Sequence, residues 1–169
     1  DEVGNEQAAK CFWLIDQDGL ILENSGDITD MQRPFARALS DTKDWSSTQT
    51  SLDLLTVVNH VKPTVLIGCS AVNGAFNEAV IKIMHSHVEQ PIIFPLSNPN
   101  ERAEATPKDI IEWTQGNALI ATGSPFDPVC YEGKTYTISQ CNNYLSFPGI
   151  GLGIIAVKAK GLTTGMLRA

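Results

Sequence analysis

Four short loops of the chain combine glycine or small side chains with polar ones, and each loop follows an apolar run. The loops are residues 16–19, 68–74, 97–99 and 122–126. Glycine lets a backbone approach a ligand closely, and small polar groups can then hydrogen-bond to that ligand. The composition favours a ligand cleft, although ordinary turns have a similar composition.

An acid, Asp16, ends the apolar run at residues 11–15. In dinucleotide-binding units an acid at such a place accepts hydrogen bonds from the adenine ribose and repels the 2′-phosphate of NADP. The alternative is an ordinary turn acid before Asp18 and Gly19. The glycine fingerprint expected roughly 20 residues earlier has no room in this sequence. The dinucleotide hypothesis therefore places that fingerprint upstream of residue 1.

The densest polar cluster of the chain is residues 140–143, which includes the pair Asn142 and Asn143. Paired asparagine amides can orient a carboxylate or a carboxamide, because each amide both donates and accepts hydrogen bonds. Amides do not transfer protons near neutral pH. A loop capped by its own amides is the alternative interpretation.

The sequence offers no convincing acid–base pair, nucleophile or metal cluster. The three histidines lie at predicted helix ends, and His85 and His87 point apart on a helix because they are two residues apart. The four cysteines are widely spaced and form no Cys-x-x-Cys pair, which predicts free thiols in a reducing cytoplasm. Any proton-transfer residues are expected to lie outside this chain.

The elements that must position the polar loops alternate between strands and helices. Apolar runs at residues 11–15, 64–68, 91–94 and 118–122 are typical of parallel strands buried on both faces. Helical patterns follow at residues 52–61, 78–87 and 106–115, the last of them capped by Thr106 with Pro107 in its first turn. This order predicts an α/β fold with a doubly wound parallel sheet.

The remaining stretches predict a hairpin and a glycine-rich helix. Residues 129–131 and 135–138 flank a Glu-Gly-Lys turn, and residues 149–157 read as the entry into a tightly packed helix. Residues 1–10 resemble the end of a helix and residues 162–167 the beginning of another. We therefore expect a fragment that is incomplete at both ends.

Composition excludes two classes of partner. The formal net charge is −7 and no basic block occurs, which argues against binding to a nucleic-acid backbone. The longest nearly apolar run, residues 149–157, is too short to span a bilayer. We expect no nucleic-acid partner and no membrane partner.

Several strings of the sequence, taken in order and with their spacing, resemble the malic enzymes. They are VLIGCS at residues 65–70, PIIFPLSNP at 91–99, EATP at 104–107, ATGSPF at 121–126, QCNN at 140–143 and FPG at 147–149. The resemblance extends from Phe12 to the end of the chain. Cys141, where many members have glycine, is similar to a bacterial NAD-linked branch. Asn73 departs from the commoner small residue or proline.

The resemblance implies a Rossmann-like NAD-binding domain over residues 1–169 that lacks its first strand and the glycine fingerprint. Malic enzymes convert (S)-malate to pyruvate and CO2, using NAD or NADP and a Mg or Mn ion. By resemblance, the cofactor contacts are Asp16, Gly68, Ser70, Ala71, Asn98 and Asn142, and the substrate contacts are Asn98 and Asn143. The family's tyrosine and lysine acid–base groups and its metal ligands lie upstream, so this fragment alone is expected to be inactive.

Three alternatives remain open on the sequence. A malolactic enzyme shares these strings but releases lactate, a non-catalytic nucleotide-binding module lacks catalysis altogether, and an amino-acid dehydrogenase-like domain shares only the architecture. The acids Asp16 and Asp18, with no basic residue between them, favour NAD over NADP. By resemblance we also expect a cytoplasmic homo-oligomer.

Overall fold

The computed structural model describes residues 5–45, 52–163 and 165–166, and its main feature is a four-stranded parallel sheet. The helices are α1 (Asn5–Ala9), α2 (Leu54–Val61), α3 (Glu78–His87), α4 (Pro107–Trp113) and α5 (Phe147–Ala156). The strands are β1 (Ile15–Asp16), β2 (Gly19–Leu20), β3 (Val65–Gly68), β4 (Ile92–Pro95), β5 (Leu119–Thr122), β6 (Val129–Tyr131), β7 (Lys134–Tyr136) and β8 (Ser139–Gln140).

The parallel sheet has the strand order β3-β4-β5-β8. Its register aligns Val65 with Ile92 and Ile92 with Leu119, and Ala121 with Ser139 in the last strand. Strands β1 and β2 form a separate antiparallel hairpin, and β6 and β7 form another. The α/β class, the parallel sheet, three of its strands and the second hairpin are confirmed.

Local sequence signals explain where α2 and the two crossover helices, α3 and α4, begin and where α4 ends. Each begins at a side chain that accepts the backbone N–H three residues later, which is the usual N-cap arrangement. The pairs are Asp53 with Thr56, Asn77 with Val80, and Thr106 with Asp109. Helix α4 is followed by Gly116, whose φ of +78° suits glycine and whose N–H donates to the Ile111 carbonyl.

Helices α2, α3 and α4 cover only one face of the sheet. Leu66 and Ile93 pack on that face in a core with Val58, Ile81, Met84 and Ile110. On the opposite face Val65, Ile67 and Leu119 are 42%, 55% and 48% exposed. The prediction that these strands are buried on both faces is therefore wrong for the described residues. Strand order advances in one direction, so each right-handed crossover places its helix on the same side.

The predicted strand at residues 11–15 is also wrong as a member of the parallel sheet. Only Ile15 belongs to a strand, and that strand pairs antiparallel with β2. The guanidinium of Arg37 accounts for the difference, since its Nη2 donates to the carbonyls of Lys10 and Phe12, the latter at 2.8 Å. Those carbonyls are thus occupied by a side chain rather than by a neighbouring strand.

Four side chains form a stacked column beside the first hairpin. The Arg37 guanidinium carbon lies 3.9 Å from the ring centroid of Trp13, whose ring stacks on Trp45 at 5.2 Å. Trp45 stacks in turn on His60 of α2 at 4.8 Å, with the two rings 7° from parallel. The column reaches the last turn of α2 through His60, and a hydrogen bond of 2.8 Å from the Leu20 N–H to the Leu52 carbonyl joins the hairpin to the residues just before α2.

Helix α5 forms where the glycine-rich stretch predicts a helix, but it is not tightly packed. Leu152 and Ile155 are 69% and 73% exposed, and no atom lies within 4 Å of a Cβ built on Gly149, Gly151 or Gly153. The described residues provide no surface against which its small-residue face could pack. Residues 1–4, 164 and 167–169, on which parts of the two terminal helix predictions rest, lie outside the described residues.

Candidate functional site

The carboxyl ends of the four parallel strands bring four loops to one edge of the sheet. The loops begin after Gly68 of β3, Pro95 of β4, Thr122 of β5 and Gln140 of β8. In open parallel sheets, ligands bind at this edge. Three of the four polar loops identified in the sequence follow β3, β4 and β5, and the cluster at residues 140–143 extends from β8.

A buried carboxylate, Glu104, joins the loops after β3 and β4. Its Oε1 accepts the Ser70 N–H at 2.7 Å, the Ser70 hydroxyl at 2.9 Å and the Ser97 hydroxyl at 2.6 Å. Its Oε2 accepts the Ser97 N–H at 3.4 Å. The Ser97 oxygen also accepts the Ala71 N–H at 2.8 Å, and the Ser70 oxygen accepts the Val72 N–H at 3.2 Å.

These bonds supply Glu104 with hydrogen-bond donors. Each serine oxygen accepts a backbone N–H while its hydroxyl donates to Glu104, since an ionised carboxylate can only accept. Burial raises the pKa of Glu104, but the hydrogen bonds from Ser97 and Ser70 outweigh burial and hold that pKa below 4.5. Burial, and secondarily the charge of Glu104, raises the pKa of the neighbouring Cys69 thiol.

Two glycines permit close contacts within this edge. A Cβ on Gly68 would lie 2.5 Å from the carboxyl carbon of Glu104, so only glycine leaves room for that side chain. A Cβ on Gly123 would lie 2.0 Å from the Leu96 carbonyl oxygen and 3.0 Å from Oδ1 of Asn98. The loops after β4 and β5 therefore pack backbone against backbone.

The segment Gly123–Ser124 connects the remaining loops. The Gly123 carbonyl accepts from Nε2 of Gln140 at 3.1 Å and from Nδ2 of Asn142 at 2.8 Å. The Ser124 hydroxyl donates to Oδ1 of Asn98. Asn98 and Asn142 thus lie on either side of one two-residue segment, and the hydrogen bonds run without a break from the loop after β3 to the loop after β8.

The predicted site residues differ in how free their amides are. Asn142 accepts the Tyr144 N–H with its Oδ1, and Asn98 donates weakly to the Leu96 carbonyl at 3.3 Å, so both amides hold the loops. Asn143 is exposed at the start of a 3-10 helix, Asn143–Leu145. Within the described part of the chain, its side-chain amide has no protein hydrogen-bond partner, which leaves it available to a ligand.

Asp16 lies in the hairpin β1–β2 rather than at the end of a strand of the parallel sheet. Its Oδ1 accepts the Gln17 N–H at 2.8 Å, and its Oδ2 accepts from Nε2 of Gln32 at 3.1 Å. The side chain is exposed, so its carboxylate can be reached from solvent.

Glu104 is a site residue that sequence reasoning did not identify. An acid just before the Thr106 cap of a helix has the pattern of an ordinary surface residue. Its relative exposure is 0%. The sequence signal that could have indicated its burial was its position between two small apolar residues, Ala103 and Ala105, which are also buried. Acids flanked by small buried residues are rarely buried without hydrogen-bond partners.

Three further features of the chain concern its cysteines, metal binding and membrane spanning. All four cysteines are free and exposed. Among residues 5–45, 52–163 and 165–166, no group of three or more His, Cys, Asp and Glu side chains could hold a metal ion. Over the same residues, no helix combines the length and the apolar character needed to traverse a bilayer.

The parallel sheet, its crossover helices and the polar edge at the strand ends define a nucleotide-binding domain of the Rossmann type. The chain belongs to the malic enzyme NAD-binding domain family, because the family model described as "Malic enzyme, NAD binding domain" matches residues 1–169. The fold expected from the resemblance is thereby confirmed.

Curated relatives support the same assignment. The chain is 50% identical over 167 residues to the NAD-dependent malic enzyme of Shewanella sp. (strain MR-4). The aligned region covers 99% of this chain and 30% of the relative. It is 50% identical over 165 residues to that of Vibrio parahaemolyticus, covering 98% of the chain and 29% of the relative. The chain thus spans about a third or less of the length of these relatives.

Proposed function

We propose that this chain supplies the nicotinamide-side wall of an NAD-dependent enzyme that oxidises and decarboxylates (S)-malate to pyruvate and CO2. One observation carries the proposal: hydrogen bonds through Ser124 and Gly123 bring Asn98 and Asn142 together at one edge of the parallel sheet, and Asn143 follows Asn142 with an exposed amide. The curated relatives, which are named NAD-dependent malic enzymes, supply the reaction.

The groups at this edge suit the nicotinamide riboside end of a dinucleotide, which carries no phosphate of its own, and a small acid. Amides and hydroxyls can donate to a carboxylate, and they can pair with a nicotinamide carboxamide or ribose hydroxyls. NAD, when bound, supplies the acceptor for the hydride of malate. The role proposed for Asn98, Asn142 and Asn143 is to hold cofactor and substrate in register, which lowers the entropic part of the barrier.

The divalent ion of the malic enzymes does not fit the residues described here. No described cluster has the three acidic, histidine or cysteine side chains that such a site needs. We therefore derive no step through the metal and place its ligands, with the acid–base groups, outside residues 1–169.

The preference for NAD is assigned to Asp16 and Asp18. Both side chains are exposed, and their charge opposes a 2′-phosphate. The proposal also retains a cytoplasmic homo-oligomer as the working state of the complete protein. Recovery of the complete gene product in the soluble cell extract tests its location, and its sedimentation tests its oligomeric state.

The decisive assay uses the complete gene product with malate, NAD and Mn²⁺. Formation of pyruvate with one equivalent of NADH supports the proposal. Lactate without accumulated NADH establishes the malolactic alternative instead, and turnover with NADP in preference to NAD contradicts the role of Asp16.

Asn143→Ala tests the substrate contact. Loss of one hydrogen bond to a carboxylate predicts a decrease in kcat/KM for malate of about tenfold or more. Asn117→Ala is the matched control, since Asn117 is an exposed asparagine that precedes β5 at the opposite edge of the sheet. Equal kinetics in the two variants would remove Asn143 from the proposed site.

A further inference from the structure

The loop after β3 directs its backbone donors inward. The N–H groups of Ser70, Ala71 and Val72 donate to Glu104, to the Ser97 oxygen and to the Ser70 oxygen respectively. Phosphate sites in proteins are commonly built from consecutive free backbone N–H groups. This loop has no such donors left at these three positions.

Glu104 fixes the loop through both its side chain and its backbone. The Glu104 carbonyl accepts the Phe76 N–H at 3.0 Å, at the far end of the same loop. The Ala103 carbonyl accepts from Nδ2 of Asn73 at 3.2 Å, in the middle of the loop. Residues 103 and 104 therefore hold the loop at its start, middle and end.

The charge of Glu104 is balanced by neutral donors. The ion pairs formed among the described residues join Asp30 with Arg33, Glu78 with Lys82, and Glu112 with Lys108, and none includes Glu104. A buried carboxylate without a cation depends on several well-placed hydrogen bonds. Displacement of Ser70 or Ser97 would therefore remove hydrogen bonds that take the place of water around the buried carboxylate. This penalty restricts the movement of both loops.

We propose that Glu104 is a positioning residue that holds the loops after β3 and β4 together. Held in this way, the loop after β3 contacts the nicotinamide riboside half of a dinucleotide instead of its pyrophosphate. The inference rests on the proposed function for the identity of the ligand. Glu104 itself is fully buried, so it can act on a bound ligand only through Ser70, Ala71 and the Ser97–Asn98 turn.

The test compares two ligands that share the adenosine diphosphate half. In the complete gene product, Glu104→Ala removes the acceptor and Glu104→Gln removes the charge while keeping the shape. We expect the Kd of NADH to rise about tenfold in Glu104→Ala and less in Glu104→Gln. The Kd of ADP, which lacks the nicotinamide riboside, should stay within about twofold of the wild-type value.

Matched controls separate this role from a general loss of structure. Glu101→Ala and Glu101→Gln change an exposed glutamate three residues earlier and should leave both dissociation constants unchanged. Gly68→Ala, whose Cβ displaces the Glu104 carboxylate, should reproduce the effect of Glu104→Ala even if the latter fails to fold. Gly26→Ala is its control, because a Cβ there meets no atom within 4 Å.

Hydrogen exchange gives a readout that needs no ligand. Exchange should accelerate in peptides covering residues 69–76 and 96–99 of the Glu104 variants and stay unchanged in α3. Equal weakening of NADH and ADP, uniform acceleration of exchange, or unchanged values for both ligands would each overturn the inference. If the Glu104 variants lose affinity for NADH but not for ADP, and the wild-type protein forms no pyruvate, the proposed function fails and the inference stands.

Discussion

At the scale of single residues, the edge of the sheet is organised by neutral amides around one buried charge. The Asn98 amide accepts a hydrogen bond from Ser124 and the Asn142 amide donates one to Gly123. The Asn143 amide, in contrast, has no partner among the described residues. Glu104 makes no ion pair there, yet it holds two loops at once. A positioning role and a ligand-contacting role thus fall on different side chains.

The charge of Glu104 predicts a particular acid dependence of stability. Its folded-state pKa is held below 4.5, so its contribution is present above 4.5 and is lost as pH falls through the lower folded value. Wild-type protein should lose stability on acidification over that range, and Glu104→Gln should lose less. Urea unfolding at a series of pH values measures this, and parallel curves for the two proteins would contradict it.

The residues of the site were predictable to different degrees. Glycine and small polar residues after apolar runs mark the loops after β3, β4 and β5, because that composition is a local property. Glu104 was not predictable in this way, since its role depends on Ser70, which lies 34 residues away in the chain. The amide of Asn142 is held by Gly123 through a contact of the same long-range kind.

At the scale of elements, side-chain caps set the helix boundaries that position the loops. Asp53, Asn77 and Thr106 each accept a backbone N–H in the first turn of α2, α3 and α4. Since α3 and α4 directly follow two loops of the site, their first turns help to place Phe76 and Glu104. Stability of these helices and geometry of the edge are therefore coupled.

Helix α2 offers the clearest test of a cap. Asp53→Ala removes the acceptor of the Thr56 N–H and should lower the free energy of unfolding by about 1 kcal/mol, whereas Asp53→Asn keeps an acceptor and should lose less.

The hydrogen bonds from Thr56 lower the pKa of Asp53 below 3.8. Its contribution is therefore present above pH 3.8 and is lost as pH falls through the lower folded value, and denaturant titrations at two pH values check both points. An equal loss in both variants would show that the effect comes from the charge of Asp53 and not from the hydrogen bond it accepts.

The elements themselves were predictable wherever hydrophobic periodicity is strong. Strands β3, β4 and β5 are continuous apolar runs, and their crossover helices have clear caps. Strand β8 is the polar pair Ser139–Gln140, which becomes a strand only because β5 presents a free edge to it. The run at residues 11–15 has a strand-like composition, but a side chain distant in sequence, Arg37, binds the Phe12 carbonyl within the run and the Lys10 carbonyl just before it.

At the scale of the whole molecule, the described chain is a sheet with one covered face and one exposed face. Val65, Ile67 and Leu119 lie on the exposed face, and α5 presents further apolar side chains to solvent. The chain spans about 30% of its curated relatives, so the activity proposed here belongs to the complete protein.

The 169-residue chain alone should bind NAD weakly or not at all. The loop after β3 offers no free donors at Ser70, Ala71 and Val72, and the glycine fingerprint that would hold the pyrophosphate is absent from the sequence. Titration calorimetry with NAD measures this directly. Micromolar affinity would favour a self-sufficient nucleotide-binding module and would contradict the expectation.

The stacked column of Arg37, Trp13, Trp45 and His60 has a consequence for cooperativity. It joins Trp13, just before the first hairpin, and Arg37 and Trp45, in the stretch that follows the hairpin, to His60 of α2. Separation of any one ring removes a stacking contact from each neighbour, so local opening there carries a shared free-energy cost. The hairpin and the helix should consequently open and close as one unit instead of fraying residue by residue.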